Sequence, residues 1–276
     1  MNSHRSIPLA LFSLFCASAS PAWAATALAP HRAVYDLVLD EATDRSGITG
    51  IQGRMVYEFE GNACDGYTVK FRFVTQINTS ETSRLTDQQT TTFEDAEGRT
   101  FDFVTKSFVD QNLDKELKGT AKRDTGRLDV EIEKPQKASL DLAASQFPTQ
   151  HLLELIDHAK RGETFYETTL FDGSEDADKV MTTTVIVGKR SEAAGSTDPE
   201  LPALRGLAKD GYWPVDIAYF DLKNEGGEET PEYRISFKLH ENGVTRDLVM
   251  DYGDFAMHGK LVDLALFDTP KNACAR

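Results

Sequence analysis

The stretch MVYEFEGNACDGYTVKFRF, residues 55–73, contains two runs of alternating apolar and polar residues on either side of a short turn. Every second residue is apolar from Met55 to Phe59, and again from Tyr67 to Phe73. A period of two places successive side chains on opposite faces of a strand. Because the turn is too short for a crossover, the two strands must run antiparallel. The stretch therefore predicts a β-hairpin with one buried and one solvated face.

The same alternation recurs along the chain. Further alternating runs and turn sequences lie at 128–133, 233–240, 95–98, 123–126 and 241–243. Counting such runs gives roughly a dozen to fourteen strands joined by short turns. Because open twisted sheets seldom exceed ~10 strands without curling, we expect a mostly β protein. Its large antiparallel sheet should curl into a spiral or incomplete barrel, with one or a few short helices.

Two runs are apolar at most positions, VMTTTVIVG at 180–188 and LVDLALF at 261–267. Such runs are typical of strands that are covered on both faces. The stretch 191–202 is rich in Gly, Ser, Pro and Glu, which predicts a surface loop. No boundary divides the chain convincingly, so we expect a single domain over residues 25–276.

One helix is well marked, in PTQHLLELIDHAKRG at 148–162. Thr149 is a predicted N-cap and Gly162 a predicted C-terminal stop. The apolar face of the helix consists of Leu152, Leu155, Ile156 and Ala159. The first three, with Trp213 from the segment DGYWP, are candidates for lining a groove inside the curled sheet. For Trp213 the commoner alternative is an ordinary core aromatic.

The opposite face of this helix carries His151, Glu154 and His158. Their spacing of three and four residues places them on one side, where imidazole and carboxylate could bind a metal ion. A solvated polar face is the more common meaning of such a pattern. No ligand from another element stands out. We therefore predict that the two histidines are exposed to solvent and that the protein binds no metal or other cofactor.

The first 24 residues have the pattern of a secretory signal: Arg5, an apolar run over 7–19, and AWA at 22–24. We expect cleavage after Ala24 and a periplasmic location. No later apolar run approaches the ~18 residues needed to span a bilayer, so no integral membrane segment is predicted.

Removal of the signal leaves two cysteines, Cys64 and Cys274. In an oxidising compartment two thiols tend to pair, and neither flank supplies the basic partner that a catalytic cysteine requires. Two cysteines are also too few for an ordinary structural zinc site. We therefore predict a Cys64–Cys274 disulfide, with a pair of free thiols as the alternative.

The chain carries a formal net charge of −15, which disfavours nonspecific binding to nucleic acid or to anionic membranes. None of the common nucleophile, zinc-hydrolase or nucleotide-binding motifs is present. We therefore predict no catalytic residues, and a protein that is not an enzyme.

The segments GITGIQGRMVYEFEGNACDGYTVKFRF (47–73), DGYWP (210–214) and KLVDLALFDTPKNACAR (260–276) resemble the EipB family of periplasmic cell-envelope integrity proteins of alphaproteobacteria. The resemblance covers essentially the whole chain after the signal. It implies a fourteen-stranded spiral sheet around a cavity, similar in outline to the lipoprotein carriers of the Lol system. It also implies a disulfide at Cys64 and Cys274, and a functional tie to a tetratricopeptide-repeat periplasmic protein. It implies no active site.

Two hypotheses about function follow. In the first, the curled sheet binds a lipid, an acyl chain or a lipidated peptide in an apolar groove. In the second, the protein is a non-enzymatic interaction scaffold that works through a tetratricopeptide-repeat partner. An accessible apolar cavity would favour the first hypothesis, and a packed interior with an exposed apolar patch would favour the second.

Overall fold

The computed structural model describes residues 27–221 and 230–268, so the predicted signal peptide lies outside it. Within these residues fourteen strands form one antiparallel sheet, and there are two helices. The strands are β1 His31–Ala42, β2 Ile48–Asn62, β3 Gly66–Thr79, β4 Ser83–Glu94, β5 Thr100–Val109, β6 Asn112–Asp124, β7 Arg127–Lys134, β8 Ala138–Ala143, β9 Phe165–Leu170, β10 Met181–Val187, β11 Tyr212–Phe220, β12 Tyr233–His240, β13 Thr245–Asp251 and β14 Phe255–Leu266. The helices are α1 Pro148–Arg161 and α2 Leu201–Leu204. The predicted fold class is confirmed.

The order of strands across the sheet is β8-β7-β6-β5-β4-β3-β2-β1-β14-β13-β12-β11-β10-β9. The first and last strands of the described residues, β1 and β14, therefore pair in the middle of the sheet, whereas β8 and β9 form its two edges. Helix α1 connects these edges. The segment before α1 also bonds to β9, because Gln146 N donates to Thr169 O at 3.1 Å and Phe171 N donates to Gln146 O at 2.9 Å.

The hairpin predicted from residues 55–73 is β2 and β3, in which Met55 lies opposite Phe73 and Phe59 opposite Val69. The turn between them is held by the Asn62 side chain, whose Oδ1 accepts hydrogen bonds from the backbone N–H groups of Cys64 and Asp65.

Helix α1 ends at Gly162, whose φ of 75° is the left-handed conformation that glycine adopts readily, as predicted. The predicted N-cap is wrong: Thr149 lies inside the first turn, and Phe147 occupies the cap position without a side-chain cap bond. The cap comes instead from Glu94 at the end of β4. Its carboxylate accepts hydrogen bonds from Thr149 N at 2.7 Å and Gln150 N at 3.1 Å. Two of the amides at the helix start, which lack partners within a helix, are thereby satisfied.

Three buried clusters form the core. The first joins α1 to β9–β12, the second joins α2 to β1, β13 and β14, and the third lies on β5–β7. The third contains four stacked or edge-on phenylalanines, Phe101, Phe103, Phe147 and Phe171, with ring centroids 5.1 to 6.4 Å apart. Burial of each ring contributes about 1.5–3 kcal/mol. Phe147 and Phe171 flank α1 and β9, so this cluster also packs the edge connection against the other half of the sheet.

The prediction that the two most apolar strands are covered on both faces is wrong. In β10 the side chain of Ile186 is 49% exposed, and in β14 that of Val262 is 37% exposed. Their inward neighbours are buried, so each strand has one wet face like the rest of the sheet. Helices can cover both faces only in sheets whose crossover connections place them there, and this meander has none.

Candidate functional site

The structure brings the four groove candidates together on the first core cluster. Leu155 and Ile156 of α1 are buried, as is Trp213 of β11, and Leu152 is half-buried against them. In this structure the side chains pack against one another and against the inner face of β9–β12. An acyl chain could reach this surface only if α1 moved away from the sheet.

The predicted wet face of α1 is wrong for His151. This imidazole is 5% exposed, and its Nε2 lies 3.1 Å from Thr183 Oγ1 on β10. Burial lowers the pKa of His151 to about 4. His158 lies farther along the helix, where its ring stacks on Tyr166 with centroids 3.8 Å apart. The two histidines therefore do not converge, and among the described residues no group of three ligand-type side chains could hold a metal.

A second observation about α1 concerns the cavity of about 320 Å³ along its outer side. This cavity is lined by polar groups that include Arg123, Gln146, Glu154 and Arg161. Gln146 Nε2 donates to Glu154 Oε2 at 2.7 Å. The groups that face this cavity are suited to polar ligands rather than to an acyl chain.

A larger cavity, here called the polar cleft, has a volume of about 600 Å³. It opens between the last turn of α1, the turn that joins β12 to β13, and the segments that flank β11. Its charged lining consists of Lys160, Arg190, Lys209, Glu192, Asp210 and Glu241. The lining also includes His240 and Gly211. Positive and negative groups are thus present in equal number.

Beneath the polar cleft lies a buried arginine cluster formed by Arg246, Asp198, Glu200 and His240. Arg246 is fully buried, and its Nη1 donates to Asp198 Oδ2 at 2.8 Å and to Glu200 Oε2 at 3.0 Å. Its Nε donates to His240 Nε2 at 3.2 Å. The guanidinium also lies over the Tyr212 ring, 4.7 Å from the centroid. A buried cation is tolerated because carboxylates and an aromatic face surround it.

Glu200 connects this cluster to the sheet. Besides Arg246, its carboxylate accepts hydrogen bonds from Asp247 N at 3.0 Å and Leu261 N at 2.6 Å. The stretch 191–202, predicted as a surface loop, therefore turns inward at its end, and Glu200 is only 2% exposed. This inward turn brings the carboxylates of Asp198 and Glu200 to Arg246, whose buried charge they neutralise.

The electrostatics of the cluster keep its histidine neutral. Burial, reinforced by the charge of Arg246, lowers the pKa of His240 to about 4. Burial acts to raise the pKa of Asp198, but the Glu200 backbone N–H and the charge of Arg246 outweigh it, so the pKa is lowered overall. The cluster holds no nucleophile beside a base, and its chemistry is that of fixed charge and hydrogen bonding.

Cys64 lies in the exposed turn between β2 and β3, and Cys274 lies outside the described residues. The disulfide therefore stays a prediction. Its geometry is feasible: β14 ends at Leu266, which pairs with His31, and His31 pairs with Phe59 near the same turn. Two strand spacings of about 4.8 Å separate these positions, a span that the chain after Leu266 can cross at about 3.3 Å per residue.

No helix in the described part of the chain is long and apolar enough to cross a membrane.

Known proteins are similar to this chain in family model, in sequence and in structure. The family model described as EipB-like matches residues 22–268. The cell envelope integrity protein EipB of Brucella abortus (strain 2308) is 56% identical over 257 residues, covering 93% of this chain and 90% of that protein. The crystal structure of a beta-barrel-like protein of a domain of unknown function from Brucella abortus is 55% identical. It has a TM-score of 0.83 and matches 88% of this chain and 100% of its own. By family match, sequence identity and fold, the chain belongs to the EipB-like family.

Proposed function

We propose that this protein supports the integrity of the cell envelope from the periplasm, as a non-enzymatic interaction scaffold. The similarity to a cell envelope integrity protein supports the role. The observation that carries the scaffold mechanism is an exposed apolar pair at a free sheet edge, on a protein whose described interior is packed with side chains.

The apolar pair consists of Phe165 on β9 and Ile186 on β10. The two residues lie directly opposite each other, with 62% and 49% of their surfaces exposed. Phe165 is the most exposed large apolar side chain among the described residues. Strand β9 is an edge, and along its outer side only the end near Leu170 is bridged, by Gln146. An edge with free backbone groups beside an apolar patch is a surface suited to binding another protein.

The partner that we propose for this surface is a tetratricopeptide-repeat periplasmic protein, in keeping with the family resemblance. Repeat proteins of this kind present extended concave surfaces built from stacked helix pairs. Such a surface can enclose a protruding aromatic side chain, which would serve as the anchor of the interface.

The test is complementation of a deletion strain with Phe165→Glu, scored as survival in a bile-salt detergent, together with binding of the purified variant to the purified repeat protein. The control is Leu113→Glu, which alters a comparably exposed apolar residue (55%) on β6. We expect Phe165→Glu to lose both binding and complementation at a normal protein level, and Leu113→Glu to retain both. Equal behaviour of the two variants would reject this surface.

Lipid binding is the second candidate function, because the apolar face of α1 already covers an apolar sheet surface that an acyl chain could occupy in its place. Its test is saturable binding of a fluorescent acyl probe, and its loss in Leu155→Asp. Mass spectrometry of an organic extract of protein purified without detergent would identify a native lipid. If the folded wild type does not bind the probe, lipid binding is rejected and the scaffold mechanism is the one that remains.

A further inference from the structure

We propose that the polar cleft is a binding site for a small zwitterionic molecule of the amino-acid or short-peptide class, whose carboxylate is bound by His240. This site is independent of the scaffold surface on β9 and β10, and it does not require α1 to move.

The first support is the fixed tautomer of His240. An arginine side chain is always protonated, so its N–H groups can only donate. Because Arg246 Nε donates to His240 Nε2, that nitrogen must be the acceptor of the neutral ring. The proton of the imidazole is consequently on Nδ1. The buried network thus sets the side of the ring that can donate a hydrogen bond.

The second support is that this donor is unused. The His240 ring is 1% exposed and lines the polar cleft, yet Nδ1 makes no hydrogen bond of acceptable geometry within the described residues. The backbone of Gly211, which also lines the cleft, lies close enough to the ring to raise its pKa but does not complete a hydrogen bond of good geometry. A buried donor without a partner is unfavourable, so an acceptor oxygen placed there by a ligand gains more than it would at the surface.

The third support is the arrangement of charge around His240. Lys160 and Arg190 both lie near Glu241, with distances of 2.9 and 3.9 Å. Lys209 and Glu192, by contrast, make no ion pair within the described chain. Asp210 likewise makes no ion pair among the described residues, so one cation and two carboxylates of the lining are available to a ligand.

These available charges indicate the class of ligand. A simple anion would meet repulsion from the three acidic side chains of the lining, whereas a zwitterion satisfies both signs. We assign its carboxylate to His240 and Lys209, and its ammonium group to Glu192. The volume of about 600 Å³ lies within the range typical of small-molecule sites.

Gly211 contributes by having no side chain. A Cβ atom at this position would lie 2.7 Å from Arg190 Cζ, too close to be accommodated without displacing that side chain. The guanidinium of Arg190 occupies this space and lies over the Trp213 ring, 5.3 Å from its centroid. The missing side chain of Gly211 thus leaves room for Arg190 to line the cleft.

The experiment is a titration of the full mature protein with the dipeptide alanyl-alanine, monitored by calorimetry and by nitrogen NMR of the histidine rings. Acetate, ethylamine and inorganic phosphate serve as single-charge probes. We expect saturable dipeptide binding, protonation of His240 at Nδ1 before addition, and a shift of the Nδ1–H signal on binding. Each single-charge probe should bind at least about tenfold more weakly.

Two lysine variants complete the test. We expect Lys209→Met to weaken dipeptide binding about tenfold, because it removes a charge-assisted contact. The control Lys137→Met changes an exposed lysine in the turn between β7 and β8 and should bind within about twofold of the wild type. The proposal is overturned by absence of saturable binding, by equal binding of acetate or phosphate, by a proton on Nε2, or by equal affinities of the two variants.

Discussion

Removal of the Glu94 carboxylate should destabilise the whole domain through the start of α1. Glu94 is 2% exposed, and it is the acceptor for two backbone amides, those of Thr149 and Gln150. In Glu94→Ala both amides lose their acceptor in a site that excludes most water, at a cost of about 1–3 kcal/mol each. Because some water can enter the truncated site, we expect a total loss of about 3 kcal/mol. For a protein of this size that corresponds to a fall in Tm of about 6–12 °C.

The matched control is Glu94→Gln, which keeps one carbonyl oxygen as acceptor and should lose only about 1 kcal/mol. The assay is thermal unfolding by circular dichroism, with hydrogen exchange of the first turn of α1 as a local readout. We expect exchange there to accelerate in Glu94→Ala while the strands of the sheet remain protected. A Tm for Glu94→Ala equal to that of the wild type, or equal losses in the two variants, would refute the cap.

The burial of Glu94 also predicts a pH dependence of stability. Burial raises the pKa of the Glu94 carboxyl, against a partial lowering by the bonds from Thr149 and Gln150. A carboxyl group whose pKa is higher in the folded state stabilises the protein fully below its unfolded value, near about 4.3. That contribution to stability is lost as the pH rises through the pKa of Glu94 in the folded state. The free energy of unfolding of the wild type should therefore fall over this window by an amount that is missing in Glu94→Gln.

Three further outcomes are expected from purified variants. Arg246→Met should lower the free energy of unfolding in urea by about 3–5 kcal/mol, because it leaves buried carboxylates without their cation. The control Arg234→Met breaks an exposed ion pair and should lower it by less than about 1 kcal/mol. Gly119→Ala should cost about 1–3 kcal/mol, since its Cβ would lie 2.6 Å from Phe103 Cζ. The mature protein should show no thiol that reacts before reduction, and Cys64→Ser should lower the Tm by several degrees; full labelling before reduction would exclude the bridge.

The sheet was predictable because its information is local. A strand with one wet face alternates in sequence, as it does from Tyr67 to Phe73, and short turns dictate antiparallel neighbours. What local patterns could not provide was the cap of α1, since Glu94 precedes the helix by more than fifty residues and becomes its neighbour only through the curl of the sheet. The prediction for His151 was wrong for the same reason: a histidine on the polar side of a helix is buried when a residue such as Thr183 faces it.

The buried arginine cluster was missed although the sequence carries a signal for it. Arg246 has the same parity as Leu248 and Met250, the inward residues of β13, so its alternation places a charge in the core. A buried charge requires a counter-ion, and that requirement directs attention to nearby acidic residues. The identity of that counter-ion was not predictable, because Glu200 lies in a stretch whose composition is that of a surface loop. Only the folded chain shows that this stretch turns inward.

The pairing of β1 with β14 has a consequence for the order in which the protein is assembled. His31 is hydrogen-bonded into a ladder whose other strand ends at Leu266, so the centre of the sheet joins the two ends of the domain. As the chain is synthesised, β1 to β8 can pair in succession, but the inner edge of β1 has no partner until β14 arrives. Contacts of such long sequence separation form slowly. For that interval the exposed edge of β1 is the point at which a chaperone would have to protect the chain from aggregation.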